Sequence, residues 1–210
     1  MTFFDRADAG KLLGEYLKEN MVQNHVDVVL GIPRGGVLVA KEVARALGKP
    51  LGVLLVRKLG VPSNPELAFG AVDPDGEVYL DQSTVDYFGL SEEDIKKVVR
   101  NELEKIRERE RRFAKALIDP EGKQLLIVDD GIATGLTVLA GIGYLRRKGA
   151  KSIYVAAPVC PASTIQRLTK VADKVYCYHV VGDSSFAVGI FYRDFRQVTD
   201  EEVEEVLSQE

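Results

Sequence analysis

The chain has 210 residues, a length that suits one α/β domain burying roughly 70% of its unfolded surface. Apolar residues make up 46% and charged residues 29%, the balance of a soluble globular protein, and no stretch approaches the ~20 apolar residues of a membrane span. A net charge of −4, from 28 basic and 32 acidic side chains, argues against a non-specific nucleic-acid binder. Cys160 and Cys177 lack metal spacing and read as buried, reduced thiols. His25 and His179 are isolated, which disfavours a histidine metal site or a Ser-His-Asp triad. The opening residues carry Asp5 and Asp8 and lack a basic-then-apolar leader layout, so a cytoplasmic location is expected.

Residues 4–19 read as an amphipathic helix with Phe4, Leu12, Leu13, Tyr16 and Leu17 on one stripe. A buried strand is expected over Val26 to Ile32, a helix over Gly35 to Leu47, and a second strand over Leu51 to Val56. From Lys58 to about Pro65 the glycine and proline content predicts irregular chain. Leu67 to Val72 and Glu77 to Asp81 then form a predicted hairpin around Asp73-Pro74-Asp75-Gly76. Ser91 and Asp94 make a capping box, and Leu90 with Ile95 a hydrophobic staple, for a helix reaching about Ile118. The alternating charges of Arg107-Glu108-Arg109-Glu110-Arg111-Arg112 on it suggest a solvated or partner-facing surface, a possible route to self-association. Further strands are expected over Ser152 to Ala157 and Lys174 to His179, with a helix near Ala162 to Leu168 and a helix start at Thr199-Asp200-Glu201-Glu202. Strands alternating with helices imply a mostly parallel sheet flanked by helices, whose ligands bind beyond the C-terminal strand ends. The loops after Leu30, Val56 and Val128 all lie at such ends.

The segment Leu125 to Thr137 is the most informative. Four apolar residues, Leu125 to Val128, read as a strand buried on both faces. The strand delivers the carboxylates of Asp129 and Asp130 to its end. Gly131, Ile132, Ala133, Thr134, Gly135, Leu136 and Thr137 then lead into a helix, a turn whose free N–H groups and helix dipole suit a phosphate. The acidic pair would repel that phosphate unless it binds sugar hydroxyls, a divalent cation, or both. Gly31-Ile32-Pro33-Arg34-Gly35-Gly36 likewise leaves a strand and opens a helix, offering close backbone approach and a positive charge to an anion.

The Leu125–Thr137 segment resembles the signature of type I phosphoribosyltransferases, which bind 5-phosphoribosyl pyrophosphate (PRPP). The similarity extends loosely over nearly the whole chain, toward stand-alone prokaryotic enzymes with no settled acceptor. It implies the type I phosphoribosyltransferase fold over 1–210, with an inserted lid, hairpin and long helix at 58–122 and a small hood with C-terminal helix at 180–210. It further implies Mg²⁺-dependent transfer from PRPP to a nucleobase-like acceptor, with release of pyrophosphate. Asp129 and Asp130 would hold the ribose and, indirectly or through PRPP, the metal ion. Residues 131–137 would bind the 5-phosphate, and Arg34, Gly35 and Gly36 the pyrophosphate. Arg57 and Lys58 match a basic pair near the pyrophosphate. Leu59 to Glu66 occupies the place of a mobile catalytic lid, in which Glu66 is a candidate acid or base, although a surface carboxylate without chemistry is the preferred reading.

Two positions depart from relatives acting on 6-oxopurines. Ala133 stands where those enzymes carry a general-base Asp, and Ser185 where they carry a base-reading Lys. In the hood, Phe191 or Tyr192 is expected to stack on a heterocycle and Asp194 to accept a hydrogen bond, with coverage of the sheet edge as the competing role. The alternative to an enzyme is a PRPP- or nucleotide-sensing regulatory module on the same fold. Action on another sugar phosphate, or hydrolysis of PRPP, is a third reading.

Overall fold

A computed structural model describes residues 2–183 and 186–209. The central sheet has five parallel strands: β1 (Val28–Gly31), β2 (Leu51–Val53), β6 (Gln124–Val128), β7 (Ser152–Pro161) and β8 (Lys174–Val181). They lie in the order β2-β1-β6-β7-β8. β3 (Arg57–Val61), β4 (Asn64–Val72) and β5 (Val78–Leu80) form a separate antiparallel sheet. The chain's helices are α1 (Arg6–Glu19), α2 (Gly35–Leu47), α3 (Gln82–Tyr87), α4 (Glu92–Arg112), α5 (Leu136–Arg147), α6 (Ala162–Thr169) and α7 (Asp200–Ser208). Among the described residues no helix is long and apolar enough to cross a membrane.

The period of two in the strands sorts the core into two layers. In β6, Leu126 and Val128 join Leu13, Leu17, Val37 and Val43 of α1 and α2. Leu125 and Ile127 join Val138, Ile142 and Leu145 of α5 on the other face. All four β6 side chains are wholly buried, and each contributes about 1.5–3 kcal/mol of burial. The strand order reverses between β1 and β6, because β1 is followed by β2 on one side while β6, β7 and β8 extend on the other. The crevice at that switch point is where open parallel sheets bind ligands.

Several expected boundaries move. Residues 58–65 are not irregular: Leu59 and Val61 are buried, and β3 pairs with β4 through Arg57↔Val72 and Val61↔Asn64. Register shifts at Leu59/Gly60 and Gly60/Val61 absorb Gly60, which packs directly on the Pro65 carbonyl and has no room for a Cβ. The punctuating glycine and prolines thus mark a bulge and a turn. The first strand pair is shorter than expected, since β2 stops at Val53 as residues 54–56 leave the ladder toward β3. The long helix ends at Arg112 rather than near Ile118. Phe113 caps it, a single 3-10 turn spans 114–116, and Leu117 is extended and exposed. The predicted capping box at Ser91 and Asp94 is present, as is one at Thr199 and Glu202 opening α7. β7 runs to Pro161, four residues further than periodicity suggests, and α3, where Asp81 accepts from the Ser83 and Thr84 hydroxyls, has no counterpart in the sequence reading.

The hairpin is tied to the end of α5 by polar contacts centred on the buried Asp73 carboxylate. Asp73 Oδ1 accepts from the Asp75 and Glu77 N–H groups at 2.9 and 3.1 Å, and Oδ2 from Arg147 of α5 at 2.5 Å. Asp73→Ala leaves those donors without their acceptor and is expected to cost about 1–3 kcal/mol. At about 2–4 °C per kcal/mol for a chain of this size, circular-dichroism melting will show the loss. Asp73→Asn, which keeps an acceptor for the turn, will lose less.

Candidate functional site

The loops leaving β1 and β6 meet over the switch point and form the wall of a cavity of about 720 Å³. Asp129 and Asp130 leave β6 into this crevice, with Asp129 Oδ1 accepting the Asp130 N–H at 2.9 Å. Asp130 forms an ion pair with Arg6 of α1, Nε to Oδ2 at 2.9 Å, and the Arg6 side chain is 9% exposed. Asp129 has no ion pair among the described residues. Burial and the adjacent Asp130 push the Asp129 carboxyl well above the ordinary carboxylate range. Burial also raises Asp130, while the Arg6 guanidinium pulls in the opposite direction.

The glycines of the β1 loop are there because the acidic pair is close. A Cβ on Gly36 would stand 2.7 Å from Asp129 Oδ1, and one on Gly35 would collide with the Asp130 carboxylate and Arg6. The Pro33–Arg34 peptide is cis. Arg34 is exposed on the cavity rim. In the β6 loop, Gly135 takes φ +82° and a Cβ there would lie 3.1 Å from the Thr164 methyl, while the Thr164 hydroxyl donates to the Ala133 carbonyl at 2.5 Å. The turn leaves Ala133 and Thr134 exposed ahead of α5. The first-turn N–H groups of α5 have no preceding helical carbonyls, and Leu136 N–H reaches only the Thr134 hydroxyl, at 3.4 Å.

Of the residues marked in the sequence, the cavity brings together Arg34, Gly35, Arg57, Lys58, Glu66, Asp129, Asp130 and all of 131–137. Gly36 lies directly behind Asp129. Arg57 pairs with Glu102 of α4, whose carboxyl is held below its ordinary range by Arg57 and Lys105 against the opposing cost of burial. Lys58 reaches Glu66 at 3.5 Å, and the Glu66 side chain is almost wholly exposed. The hood residues are placed differently. Tyr192 is buried against Phe3, and its hydroxyl donates to the Asp130 carbonyl at 2.6 Å. Phe191 packs between Phe186 and His179. Asp194 lies outside the cavity wall, where its N–H donates to the Phe4 carbonyl and its carboxylate accepts from Arg196 N–H. The aromatic rings on the wall are instead Phe186 and Phe195, the latter covered by Arg6 at 4.0 Å from its centroid. Ser185 lies outside the described residues.

Three contributors have little or no sequence signal. Arg6 is 124 residues from its partner Asp130. Phe195 stands three residues beyond the nearest expected stacking ring, and Arg109 sits inside a run that reads as solvated. Among the described residues no group of three or more His, Cys, Asp or Glu could hold a metal ion. Among the described carboxylates on the cavity wall, Asp129 is the one without a cation partner, and it suits a divalent cation that takes its remaining oxygens from a ligand and water, as Mg²⁺ does.

Residues 6–190 match the family model described as a phosphoribosyl transferase domain. The chain belongs to the phosphoribosyltransferase family. It is 43% identical over 203 residues to a Mycobacterium tuberculosis protein named putative phosphoribosyl transferase, covering 96% of this chain and 45% of that protein. The chain therefore spans about half the length of the curated relatives it matches. A 60-residue stretch, 28% of this chain and 22% of the relative, is 43% identical to a ribose-phosphate pyrophosphokinase of Pyrococcus furiosus. Among solved structures, TT1426 from Thermus thermophilus superposes with a TM-score of 0.76 and 38% identity, over 100% of this chain and 99% of that one.

The raised Asp129 carboxyl has a measurable consequence. Its folded-state titration lies above the unfolded value, so its contribution to stability is present in acid and is lost as pH rises through the folded value. Asp129→Asn removes that loss while keeping an acceptor for Asp130 N–H. The variant is expected to melt a few degrees above wild type at pH 8, at about 2–4 °C per kcal/mol. The difference should shrink as pH falls to about 4, the ordinary carboxylate range. Equal melting temperatures across that range would show Asp129 to be charged and compensated.

Proposed function

We propose that this chain transfers a phosphoribosyl group from PRPP to a nucleobase-like acceptor, with Mg²⁺ bound and pyrophosphate released. One observation supports the reading: the acidic pair, the α5 turn, the Arg34–Gly35 turn packed against that pair, and Arg57 all line the same cavity. A ligand with a phosphate at one end, hydroxyls in the middle and a polyanion at the other fits that sequence of donors and acceptors.

In this reading the 5-phosphate takes the N–H groups opening α5 and the hydroxyls of Thr134 and Thr137. The ribose hydroxyls donate to Asp129 and Asp130, with Arg6 orienting Asp130 and opposing the upward pull of burial on its carboxyl. Pyrophosphate rests on the Arg34–Gly36 turn and Arg57, with Lys58 at the rim. Mg²⁺, held through Asp129 and the ligand's own oxygens, supplies charge neutralisation for the leaving diphosphate. As the bond from ribose C1 to the diphosphate oxygen breaks, an acceptor nitrogen forms the new bond to C1. Positive charge developing on the ribose is stabilised by the adjacent carboxylates. Charged groups placed before the reaction need no reorganisation during it.

The acceptor site is assigned to Phe186, Val188 and Phe195, which line the cavity beside Gly131. With Ala133 in the loop, no side chain there can serve as a general base, so an acceptor that needs deprotonation by that position is excluded from the reading. The hairpin β3–β4 and helix α4 act as the cover over the pyrophosphate end, and residues 180–210 as the hood. All belong to one functional unit of 210 residues in the cytoplasm.

The deciding assay is pyrophosphate release from PRPP with Mg²⁺ across a panel of purine and pyrimidine bases and a no-base control. Release that depends on one base is the expected result. PRPP binding without release would instead indicate a sensor. Release without any base would indicate hydrolysis. For the productive base, Phe186→Ala is expected to raise KM about 3- to 10-fold by removing a stacking partner, with the Kd for PRPP unchanged. An unchanged KM would move the acceptor site elsewhere.

A further inference from the structure

Arg109 does not lie where the alternating charges of its run place it. Arg107 and Arg111 are exposed and Arg107 pairs with Glu110 one turn along, but the Arg109 side chain is 8% exposed and lines the site cavity. A buried guanidinium is costly unless its five donors are matched. The one ion contact of Arg109 is Asp200 Oδ1 of α7 at 3.2 Å, and that oxygen receives no aligned hydrogen bond. Asp200 is also shared with Arg112, at 3.7 Å.

The other charges around Arg109 come from two further elements and from its own helix. Arg34 opens α2 and has no ion pair among the described residues. Arg57 of β3 is turned toward Glu102, two turns before Arg109 on the same face of α4. Burial, Arg57 and Arg34 together press the Arg109 guanidinium below its ordinary range, with Asp200 opposing them. Three guanidiniums thus share one wall of a cavity, held together against their own repulsion. A multivalent anion relieves that repulsion and accepts donors that Asp200 leaves unused.

We infer that Arg109 is a further ligand of the diphosphate part of the substrate, supplied by α4 and restrained by Asp200 until the anion arrives. The inference rests on the PRPP reading of the cavity and adds to it a residue from outside the strand-end loops. It also gives the α4 insertion a direct role in binding.

Titration calorimetry of the full chain with two probes, Mg²⁺-pyrophosphate and ribose 5-phosphate, tests it. Arg109→Gln is expected to weaken pyrophosphate about 10- to 100-fold while ribose 5-phosphate stays within about twofold. Asp200→Asn, which retains Arg109 and removes its competing carboxylate, is expected to tighten pyrophosphate several-fold and leave ribose 5-phosphate unchanged. Unchanged pyrophosphate affinity in folded Arg109→Gln, or equal loss of both ligands, overturns the inference. If Arg109→Gln does not fold, Asp200→Asn decides it, because unchanged or weaker pyrophosphate binding there has the same force. Wild type that binds neither probe would instead refute the PRPP reading itself.

Discussion

Two adjacent carboxylates at the end of a fully buried strand set the terms for everything around them. Asp129 and Asp130 emerge where β6 leaves the sheet, and their mutual repulsion is only half relieved, by Arg6 from α1. That ion pair commits the first helix to the site. The Arg6 guanidinium also donates to the Arg196 carbonyl at 2.8 Å and lies over Phe195, so the C-terminal segment is held by the same side chain. Tyr192 closes the arrangement by donating to the Asp130 carbonyl. The glycines of the β1 loop follow from the same constraint, because side chains at Gly35 and Gly36 would strike the two carboxylates.

The cavity wall also carries charge of the opposite sign. Arg34, Arg57, Lys58 and Arg109 gather there, with Glu102 and Asp200 behind two of them. Segregation of this kind is expensive in an empty cavity, where each set of like charges is partly desolvated. In the proposed function it is resolved by a ligand that is itself polarised, with hydroxyls beside the carboxylates and phosphates beside the cations. The unpaired state of Asp129 and the poorly aligned contact of Arg109 are two ends of the same imbalance.

The cover over the basic end is built, rather than left as loose chain. β3 and β4 bury Leu59, Val61, Phe69 and Ala71, and α4 lays Ile106 on the same core, so the segment carrying Arg57 and Lys58 has a packed base. Asp73 and Arg147 join this base to α5, the helix whose N-terminus faces the cavity. The rim, around Pro62 to Leu67, is exposed. Glu66 belongs to that rim, which accords with its reading as a surface carboxylate.

Much of the parallel frame was legible from local pattern. The four-residue apolar run of β6, the helix of residues 35–47 and the caps at Ser91 and Thr199 depend on neighbours within a few positions, which is the range over which periodicity and capping act. The sequence alone likewise placed the acidic pair at a strand end and the glycine turn ahead of a helix, because residue type and spacing act over a few neighbouring positions. It misjudged residues 58–65, where glycine and proline mark a bulged hairpin whose buried Leu59 and Val61 pair with Gly70 and Asn64 across the ladder. The tertiary structure alone decided which rings face the cavity and which arginines join it. Tyr192 turned inward because its hydroxyl has a carbonyl to reach 62 residues away, and Arg6 met Asp130 across 124 residues. Arg109 was taken out of a charged run by the packing of α4 against β3 and α7, a choice among helix faces that charge alternation by itself leaves open.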